Sequence, residues 1–359
     1  MYSKIWAILK NKINIQKINL KSVPGTLFAY IYPERVLIHT YRDRFMYQAK
    51  EYETGYAKSF IGRRNHSTLK RSVTISGKGV HSGKITNLTL HPAQVGTGVV
   101  FRNPVFGEIP VTPYSVVDTN HAVTLGNQRG QIATVEHLLF ALAVTGITDA
   151  VIEVDAGELP ILDGSAAPLC EAIIESAGIM DLGLPVEPIV IKTPLWVIQG
   201  DRYVIALPHD GFRVSSGISY EHPLLRGEFL GMDLDSEICL RELADARTFG
   251  FLRDIERLQS RNLALGASLE NAVVLTDDGY LNDSLRHENE CIRHKMLDII
   301  GDLYLIGRPL VGHIIASKTG HGLNVELGKK ILAAQFGDEL GIRRAADARF
   351  VPTVNDNFY

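Results

Sequence analysis

Cysteines and long apolar runs are both scarce in this chain of 359 residues. It has only three cysteines, Cys170, Cys239 and Cys291, and no two of them form a CxxC pair. An odd number of widely spaced thiols is typical of a reducing, cytosol-like compartment and excludes a small domain held together by disulfides. No run of about 20 apolar residues occurs, so the sequence predicts no transmembrane helix.

Several motifs that would assign a function at once are also missing. The chain contains neither a GxxxxGK[ST] loop nor a GxGxxG turn, so nucleotide binding by those folds is not supported. It lacks HExxH, which excludes a zincin-type protease, and it lacks the GxSxG elbow of α/β-hydrolases. Ser165, in LDGSAAP, is therefore interpreted as part of a turn before a helix.

Charge divides the chain into two unequal parts. Residues 1–65 contain 12 basic and 4 acidic residues and 7 of the 13 tyrosines, whereas the remainder contains 25 basic and 36 acidic residues. The stretch IWAILKNKINI has no clean apolar segment and no small-residue cleavage site, so it does not fit a signal peptide. We interpret residues 1–66 as an extension: a disordered basic arm, translated sequence upstream of the true start or, less favoured, an organelle-targeting segment.

The rest of the chain alternates between strand-like and helix-like segments. The segment ATVEHLLFALAVTGI predicts a helix that Thr134 caps and Gly146 ends. The Pro-rich segment DLGLPVEPIV marks a boundary, after which strands again precede helices. We therefore predict domain I at residues 67–185, domain II at residues 190–335 and a tail at residues 336–359.

One helical segment, ENECIRHKMLDIIGDLYLIG, combines apolar residues with charged ones. Its His294, Asp298 and Asp302 are spaced at i, i+4 and i+8, so they lie close to one face of the helix. Carboxylates are rarely buried unless they are paired or bind a metal. This face is therefore a candidate metal site, although a structural hydrogen-bonded pair at Asp298 is the more common explanation of such spacing.

A catalytic metal site would need a third ligand from another segment, because catalytic zinc usually has three protein ligands. His137, in TVEHLL, is the best candidate, and the adjacent Glu136 would supply the carboxylate base of a zinc hydrolase. Cys291 is a competing ligand beside His294 that would suit structural zinc, but no second Cys or His pair at ligand spacing supports it. His321, between glycines in SKTGHGLN, is either a ligand-facing loop histidine or an ordinary surface one.

Six segments, taken in order, resemble the UDP-3-O-acyl-N-acetylglucosamine deacetylases, the zinc enzymes of the committed step of lipid A synthesis. These segments are TLKRSVTISGKGVHSGK, TVEHLLFALAVTGI, ELPILDGSAAP, ARTFGF, RHKMLDIIGDLYLIG and SKTGHGLN. The resemblance extends from about Thr68 to about Ala334 and does not include the extension. It implies an α+β fold of two similar domains, each a β-sheet with two helices, with the helices sandwiched between the two sheets.

The resemblance also implies a role for individual residues of the metal site. His137, His294 and Asp298 match the ligands of Zn²⁺, with Fe²⁺ as the alternative metal. Glu136 matches the general base of the family.

Further catalytic and substrate-binding roles follow from the same resemblance. Thr248 matches the hydroxyl that stabilises the oxyanion, His321 matches a second catalytic residue, and Asp302 matches the partner of that histidine. An insert at about residues 247–275 would form a passage for the acyl chain. The residues expected to contact the substrate are Lys295, Phe249, Lys318, Arg202, Ile255 and Leu258.

The implied reaction is hydrolysis of the N-acetyl group of UDP-3-O-acyl-N-acetylglucosamine, which releases acetate and a free amine. We expect a cytoplasmic monomer with no nucleic-acid partner. The alternative is a catalytically silent, zinc-stabilised binding protein of the same fold. The presence of Glu136, Thr248 and His321 favours the enzyme, because a binding protein would need none of the three.

Overall fold

The computed structural model describes residues 61–63 and 65–337, together with the backbone of two strands nearer the N-terminus. Those strands, β1 (Phe28–Tyr32) and β2 (Arg35–His39), pair antiparallel within a compact unit of their own. The rest of the predicted extension and nearly all of the predicted tail lie outside the described residues.

The described part of the second unit contains 18 strands and six α-helices. Its strands are β3 (Asn65–Leu69), β4 (Val73–Lys78), β5 (Ile85–Pro92), β6 (Val99–Asn103), β7 (Gly107–Pro110), β8 (Val116–Asp118), β9 (Thr124–Asn127), β10 (Gly130–Ile132), β11 (Ala150–Val154), β12 (Ile179–Pro185), β13 (Ile189–Val190), β14 (Leu195–Gln199), β15 (Arg202–Leu207), β16 (Phe212–Ile218), β17 (Glu228–Leu234), β18 (Phe249–Phe251), β19 (Val273–Leu275) and β20 (Leu310–Ser317). Its helices are α1 (Glu136–Thr145), α2 (Ala167–Glu171), α3 (Ser236–Glu242), α4 (Ile255–Ser260), α5 (Glu290–Tyr304) and α6 (His321–Phe336). A π-helical segment at Ala172–Ala177 continues α2, and 3₁₀ turns lie at Pro113–Ser115, Pro223–Leu225 and Leu252–Asp254.

Two large sheets organise this unit. The first has the spatial order β4-β5-β11-β6-β7 and is antiparallel except between β11 and β6. The second has the order β14-β15-β20-β16-β17, with β20 and β16 parallel and β13 added in parallel beside the start of β20. Smaller sheets join β12 to β3, β10 to β9 and β8, and β18 to β19.

Side chains alternate along the strands of both large sheets, as in sheets with one buried face. In β5 the buried residues include Leu88 and Leu90, and in β15 they are Val204 and Ala206. One continuous cluster of buried apolar side chains runs from the first sheet through α1 and α5 into the second sheet. The helices therefore lie between the sheets, and the α+β class predicted from the sequence is confirmed.

Helix α1 is buried along its whole length. All ten of its residues are buried, as expected for a helix that is packed on every side. Gly146 ends it in a left-handed conformation with φ of +73°, which confirms the predicted stop. The predicted cap is wrong, because the helix begins after Val135 and the Thr134 hydroxyl donates instead to the Glu158 carboxylate at 3.4 Å.

Helices α1 and α5 cross in close contact at Gly301. A Cβ atom at this position would overlap the backbone carbonyl oxygen of Glu136, so a glycine is required for the observed approach. The crossing places the first turn of α1 beside the middle of α5. Within residues 61–63 and 65–337, no helix is long and apolar enough to cross a membrane.

Candidate metal centre

Three potential metal ligands meet where α1 and α5 cross. One ligand atom each from His137, His294 and Asp298 lie within 4.8 Å of one another, and all three residues are buried. The two imidazole rings meet edge to face with centroids 5.0 Å apart, and His294 Nε2 lies 3.4 Å from Asp298 Oδ1. Two imidazoles and one carboxylate are the donor set of catalytic zinc sites and also of non-haem iron(II) sites.

His294 is held in one orientation by the backbone. Its Nδ1–H donates to the carbonyl oxygen of Ala246 at 3.0 Å, which leaves Nε2 on the side of the cluster. Metal-ligating histidines usually donate their second ring N–H in this way. Burial lowers the pKa of His294, so the ring is neutral, as a ligand must be.

His137 is buried without a hydrogen-bonding partner for its ring in the part of the chain that the structure describes. Burial, followed by the neighbouring His294, lowers the pKa of His137 to about 3. A buried polar group normally has a partner, and a neutral imidazole nitrogen without one suits a metal ion.

Asp298 remains ionised despite its burial. Lys295 Nζ donates to Asp298 Oδ2 at 2.8 Å, while Oδ1 lies on the side of His294. Burial opposes ionisation, but the positive charge of Lys295 holds the pKa of Asp298 well below its usual range. A free anionic oxygen and two neutral imidazoles therefore converge, and these residues fit a divalent metal.

Glu136 stands next to the cluster in the first turn of α1. Its Oε2 accepts a hydrogen bond from the backbone N–H of Val123 at 3.0 Å. Burial raises the pKa of Glu136 to about 7, against the opposing effect of His321. A carboxylate with a pKa near neutrality is well matched to take up and return a proton.

His321 opens helix α6 and is fixed by Asp302. Its Nδ1–H donates to the carboxylate of Asp302, and Nδ1 lies 3.0 Å from Oδ1 and 2.9 Å from Oδ2. Asn324 Nδ2 also donates to Oδ2 of Asp302, at 2.8 Å. Burial alone would lower the pKa of His321, but the Asp302 charge and hydrogen bond raise it to about 9. The imidazolium form is therefore dominant at neutral pH, with Nε2–H free of Asp302.

Phe249 lies beside the cluster at the start of β18, and Thr248 directly precedes it. Thr248 is pinned by its backbone, because its N–H donates to Gly164 at 2.8 Å and its carbonyl accepts from Val273 at 2.8 Å. The Phe249 ring lies edge to face with His294 at a centroid distance of 6.5 Å. Lys295 Nζ lies 5.6 Å from the Phe249 centroid.

Two of the predicted substrate contacts lie near the end of β20. Arg202 Nε donates to the Lys318 carbonyl at 3.1 Å, and Lys318 Nζ donates to Asp201 at 2.6 Å. Lys318 lies three residues before His321, so this basic pair stands at the entrance to α6. No contact joins the pair to the metal cluster among the described residues.

The last two predicted contacts lie on α4, inside the predicted insert. Ile255 and Leu258 are half-buried, and α4 has no fully buried residue. Strands β18 and β19 pair in parallel and so hold the two ends of the insert together.

Cys291 is not part of the ligand cluster. Its thiol is buried with Phe251, Val273 and Ile292 in a second apolar cluster, and burial raises its pKa. The structural-zinc alternative that used this thiol is therefore not supported, and the side chain packs in the apolar cluster.

The sequence interpretation missed two residues that hold the site together. Arg247, directly before Thr248, pairs with Glu290 at 2.8 Å, and both side chains are buried. Glu290 lies one turn before His294, so extending the i, i+4 stripe backwards by one turn would have found it. Arg247 carried no comparable signal, because its partner is 43 residues away.

Comparison with known proteins gives one consistent result. The profile of the UDP-3-O-acyl N-acetylglycosamine deacetylase family matches residues 66–333. A UDP-3-O-acyl-N-acetylglucosamine deacetylase of Leptospira biflexa is 50% identical over 280 residues, which cover 77% of this chain and 92% of the relative. Proteins of the same name from Myxococcus xanthus and Pseudomonas entomophila are 45% and 46% identical, covering 75% and 74% of this chain and 87% and 89% of the relatives.

Proposed function

The chain belongs to the UDP-3-O-acyl-N-acetylglucosamine deacetylase family, and we propose that it hydrolyses the N-acetyl group of UDP-3-O-acyl-N-acetylglucosamine to acetate and a free amine. The observation that carries this proposal is the buried cluster of His137, His294 and Asp298, with a base and an acid beside it. Glu136, with its pKa raised to about 7, is the base, and His321, with its pKa raised to about 9, is a second catalytic residue that is cationic at neutral pH.

We propose zinc as the native metal, with iron(II) as the alternative, held by His137, His294 and Asp298. When bound there, the metal would act as a Lewis acid on the acetamide oxygen and lower the pKa of water to near 7. Two hydrogen bonds support this proposal, because the Ala246 carbonyl orients His294 and Lys295 orients Asp298.

The chain's own residues would move the protons. Glu136 takes a proton from the water that attacks the acetyl carbonyl carbon. His321 carries its positive charge beside the leaving amine, and its Nε2–H is available because Nδ1 is held by Asp302. The amine leaves as a neutral group when Glu136 or His321 supplies it with a proton, and the carbon–nitrogen bond then breaks.

Thr248 would stabilise the negative charge that develops on the carbonyl oxygen. Its backbone is fixed on both sides, by Gly164 and Val273, so its position does not have to be reorganised during the reaction. Preorganised donors of this kind typically contribute about 3 kcal/mol to lowering the barrier.

The substrate would extend from the metal in two directions. Lys295 and Phe249 border the cluster and would contact the sugar, while Arg202 and Lys318 would meet the nucleotide phosphates. Ile255 and Leu258, half-buried on α4, would line the acyl passage. The two domains at residues 67–185 and 190–335 then contribute one metal ligand and two metal ligands respectively.

The direct test is acetate release from UDP-3-O-acyl-N-acetylglucosamine, with unacylated UDP-N-acetylglucosamine as the comparison. Each buried CH₂ contributes about 0.8 kcal/mol, so an acyl passage predicts that kcat/KM for the acylated substrate is higher by several orders of magnitude. Equal values for both substrates would contradict the acyl passage. No release from either by the folded, zinc-loaded protein would contradict the proposed function.

A further inference from the structure

A buried carboxylate outside the proposed reaction, Glu290, lies in the first turn of α5. It is fully buried and accepts four hydrogen bonds. Three come from Arg247, through its backbone N–H at 3.0 Å, Nε at 2.8 Å and Nη2 at 3.2 Å, and the fourth from the backbone N–H of Arg286 at 2.8 Å. A buried ion pair is a weak source of stability, so its presence here points to another role.

One peptide group connects Glu290 to His294. The N–H of this group, on Arg247, donates to Glu290 Oε1, and its carbonyl oxygen, on Ala246, accepts from His294 Nδ1 at 3.0 Å. The described peptide bonds are all trans, so this N–H and C=O point in opposite directions. Glu290 and His294 are one helical turn apart, and a single peptide plane spans that turn.

Through this peptide group, the Glu290 carboxylate can influence the orientation of the His294 ring. Hydrogen bonds in a chain polarise one another, and a negative charge at the N–H end increases the negative charge on the carbonyl oxygen. The Ala246 oxygen then holds the Nδ1–H tautomer of His294 more firmly. The ring's Nε2 is thereby directed at His137 and Asp298, as a metal ligand requires.

We propose that Glu290 is a positioning residue for His294, acting through the Ala246–Arg247 peptide group. This inference rests on the proposed function only in taking His294 as a metal ligand. The same peptide immediately precedes Thr248, so Glu290 also fixes the backbone at the start of β18.

The test compares Glu290→Gln with the matched control Glu242→Gln. Glu242, on α3, accepts from Nη1 of Arg293, on α5, at 2.9 Å, and in the described part of the chain no hydrogen bond or ion pair joins it to the ligand histidine. Zinc affinity is measured by competition with a chelator. Zinc affinity should fall 10- to 100-fold in Glu290→Gln, the range typical of residues that orient a metal ligand, and change little in Glu242→Gln. Unchanged affinity in a folded Glu290→Gln protein would overturn the proposal.

Two further measurements separate positioning from general stability. In the metal-free protein, nitrogen NMR should show a single Nδ1–H tautomer of His294 in the parent and a mixture in Glu290→Gln. Arg247→Lys keeps both the backbone N–H and the Glu290 charge, so it should lower stability but leave zinc affinity within a few-fold of the parent. A loss as large as that of Glu290→Gln would refute the peptide route.

Glu290→Asp serves if Glu290→Gln does not fold. It keeps the charge but shortens its reach, so the same loss of zinc affinity is expected to a smaller degree, and parental affinity would again refute the proposal. Zinc competition uses no substrate. A parent protein that binds zinc but releases no acetate would therefore contradict the proposed function alone, whereas acetate release with unchanged zinc affinity in Glu290→Gln would contradict the positioning role alone.

Discussion

Helices α1 and α5 bring the site together in opposite ways. Helix α1 is apolar and buried along its length, and its two site residues, Glu136 and His137, occupy its first turn. Helix α5 instead carries a stripe of four buried polar side chains at i, i+4 spacing: Glu290, His294, Asp298 and Asp302.

The two helices also differ in how these residues are partnered. Each polar residue of the α5 stripe has a protein partner, and these partners are Arg247, Ala246, Lys295 and His321. In α1, Glu136 accepts a single hydrogen bond from Val123, and within the described residues the ring of His137 has none. The polar side chains of α5 are thus fixed by other groups of the protein, whereas those of α1 have fewer such partners, as the proposed metal and substrate contacts require.

The largest effect is expected from Glu136→Gln, which removes the proton acceptor of α1. General acid–base catalysis contributes typically 10²- to 10⁴-fold, so kcat should fall by that factor, while zinc content stays that of the parent. Acetate release and metal analysis measure the two quantities. Glu153→Gln on the exposed side of β11 is the control. Full activity of Glu136→Gln would mean that α1 contributes a ligand only.

Thr248→Val tests the proposed hydroxyl donor that precedes β18. The substitution keeps the shape of the side chain and removes its hydroxyl, so kcat should fall by about 10²- to 10³-fold with little change in KM. Thr74→Val, on the exposed face of the first sheet, controls for the exchange itself. A rise in KM at constant kcat would show that Thr248 binds the substrate and does not stabilise the transition state.

Gly301→Ala breaks the contact between the two helices directly. The added Cβ would overlap the Glu136 carbonyl oxygen, so we expect a loss of about 1–3 kcal/mol in the free energy of unfolding and weaker zinc binding. Gly328→Ala is the matched control, because the nearest atom to a Cβ in that helix is 3.6 Å away. Denaturant unfolding measures the stability of both variants, and competition with a chelator measures their zinc binding. Equal stability of the two variants would contradict a steric role for Gly301.

Asp302→Asn tests whether Asp302 of α5 stabilises the charged form of His321, because that effect depends on pH. The pKa of His321 is raised from 6.5 to about 9, so its pairing with Asp302 stabilises the fold fully below pH 6.5 and loses that effect as the pH rises through about 9. The stability difference between the metal-free parent and Asp302→Asn should therefore shrink over this window. Asp233→Asn, in an exposed His–Asp pair, should show little difference at any pH. A stability difference that grows as the pH rises would contradict a raised pKa of His321 in the folded protein.

What the sequence could predict follows the same division between the helices. The α5 stripe was visible because its period matches a helix turn, and the stop at Gly146 was visible because glycine alone favours the left-handed conformation. The site residues of α1 carried no period, so His137 and Glu136 stood out only by their residue type and by family resemblance.

The remaining features depend on contacts between distant segments. Thr134 is a good cap by residue type, but its hydroxyl donates a hydrogen bond to the Glu158 carboxylate, 24 residues away, and does not cap the helix. Likewise, the pairing of Arg247 with Glu290 and the fit of Gly301 against Glu136 need the folded arrangement. Local patterns give the type of a segment, whereas long-range packing decides which polar group meets which.

We propose that His137 from α1 joins His294 and Asp298 from α5 to hold a metal that the reaction needs. The most direct measurement is acetate release from UDP-3-O-acyl-N-acetylglucosamine before chelation, after chelation and after zinc is restored. Turnover should disappear on chelation and return with one zinc ion per chain. Turnover that survives complete removal of metal would contradict the proposal.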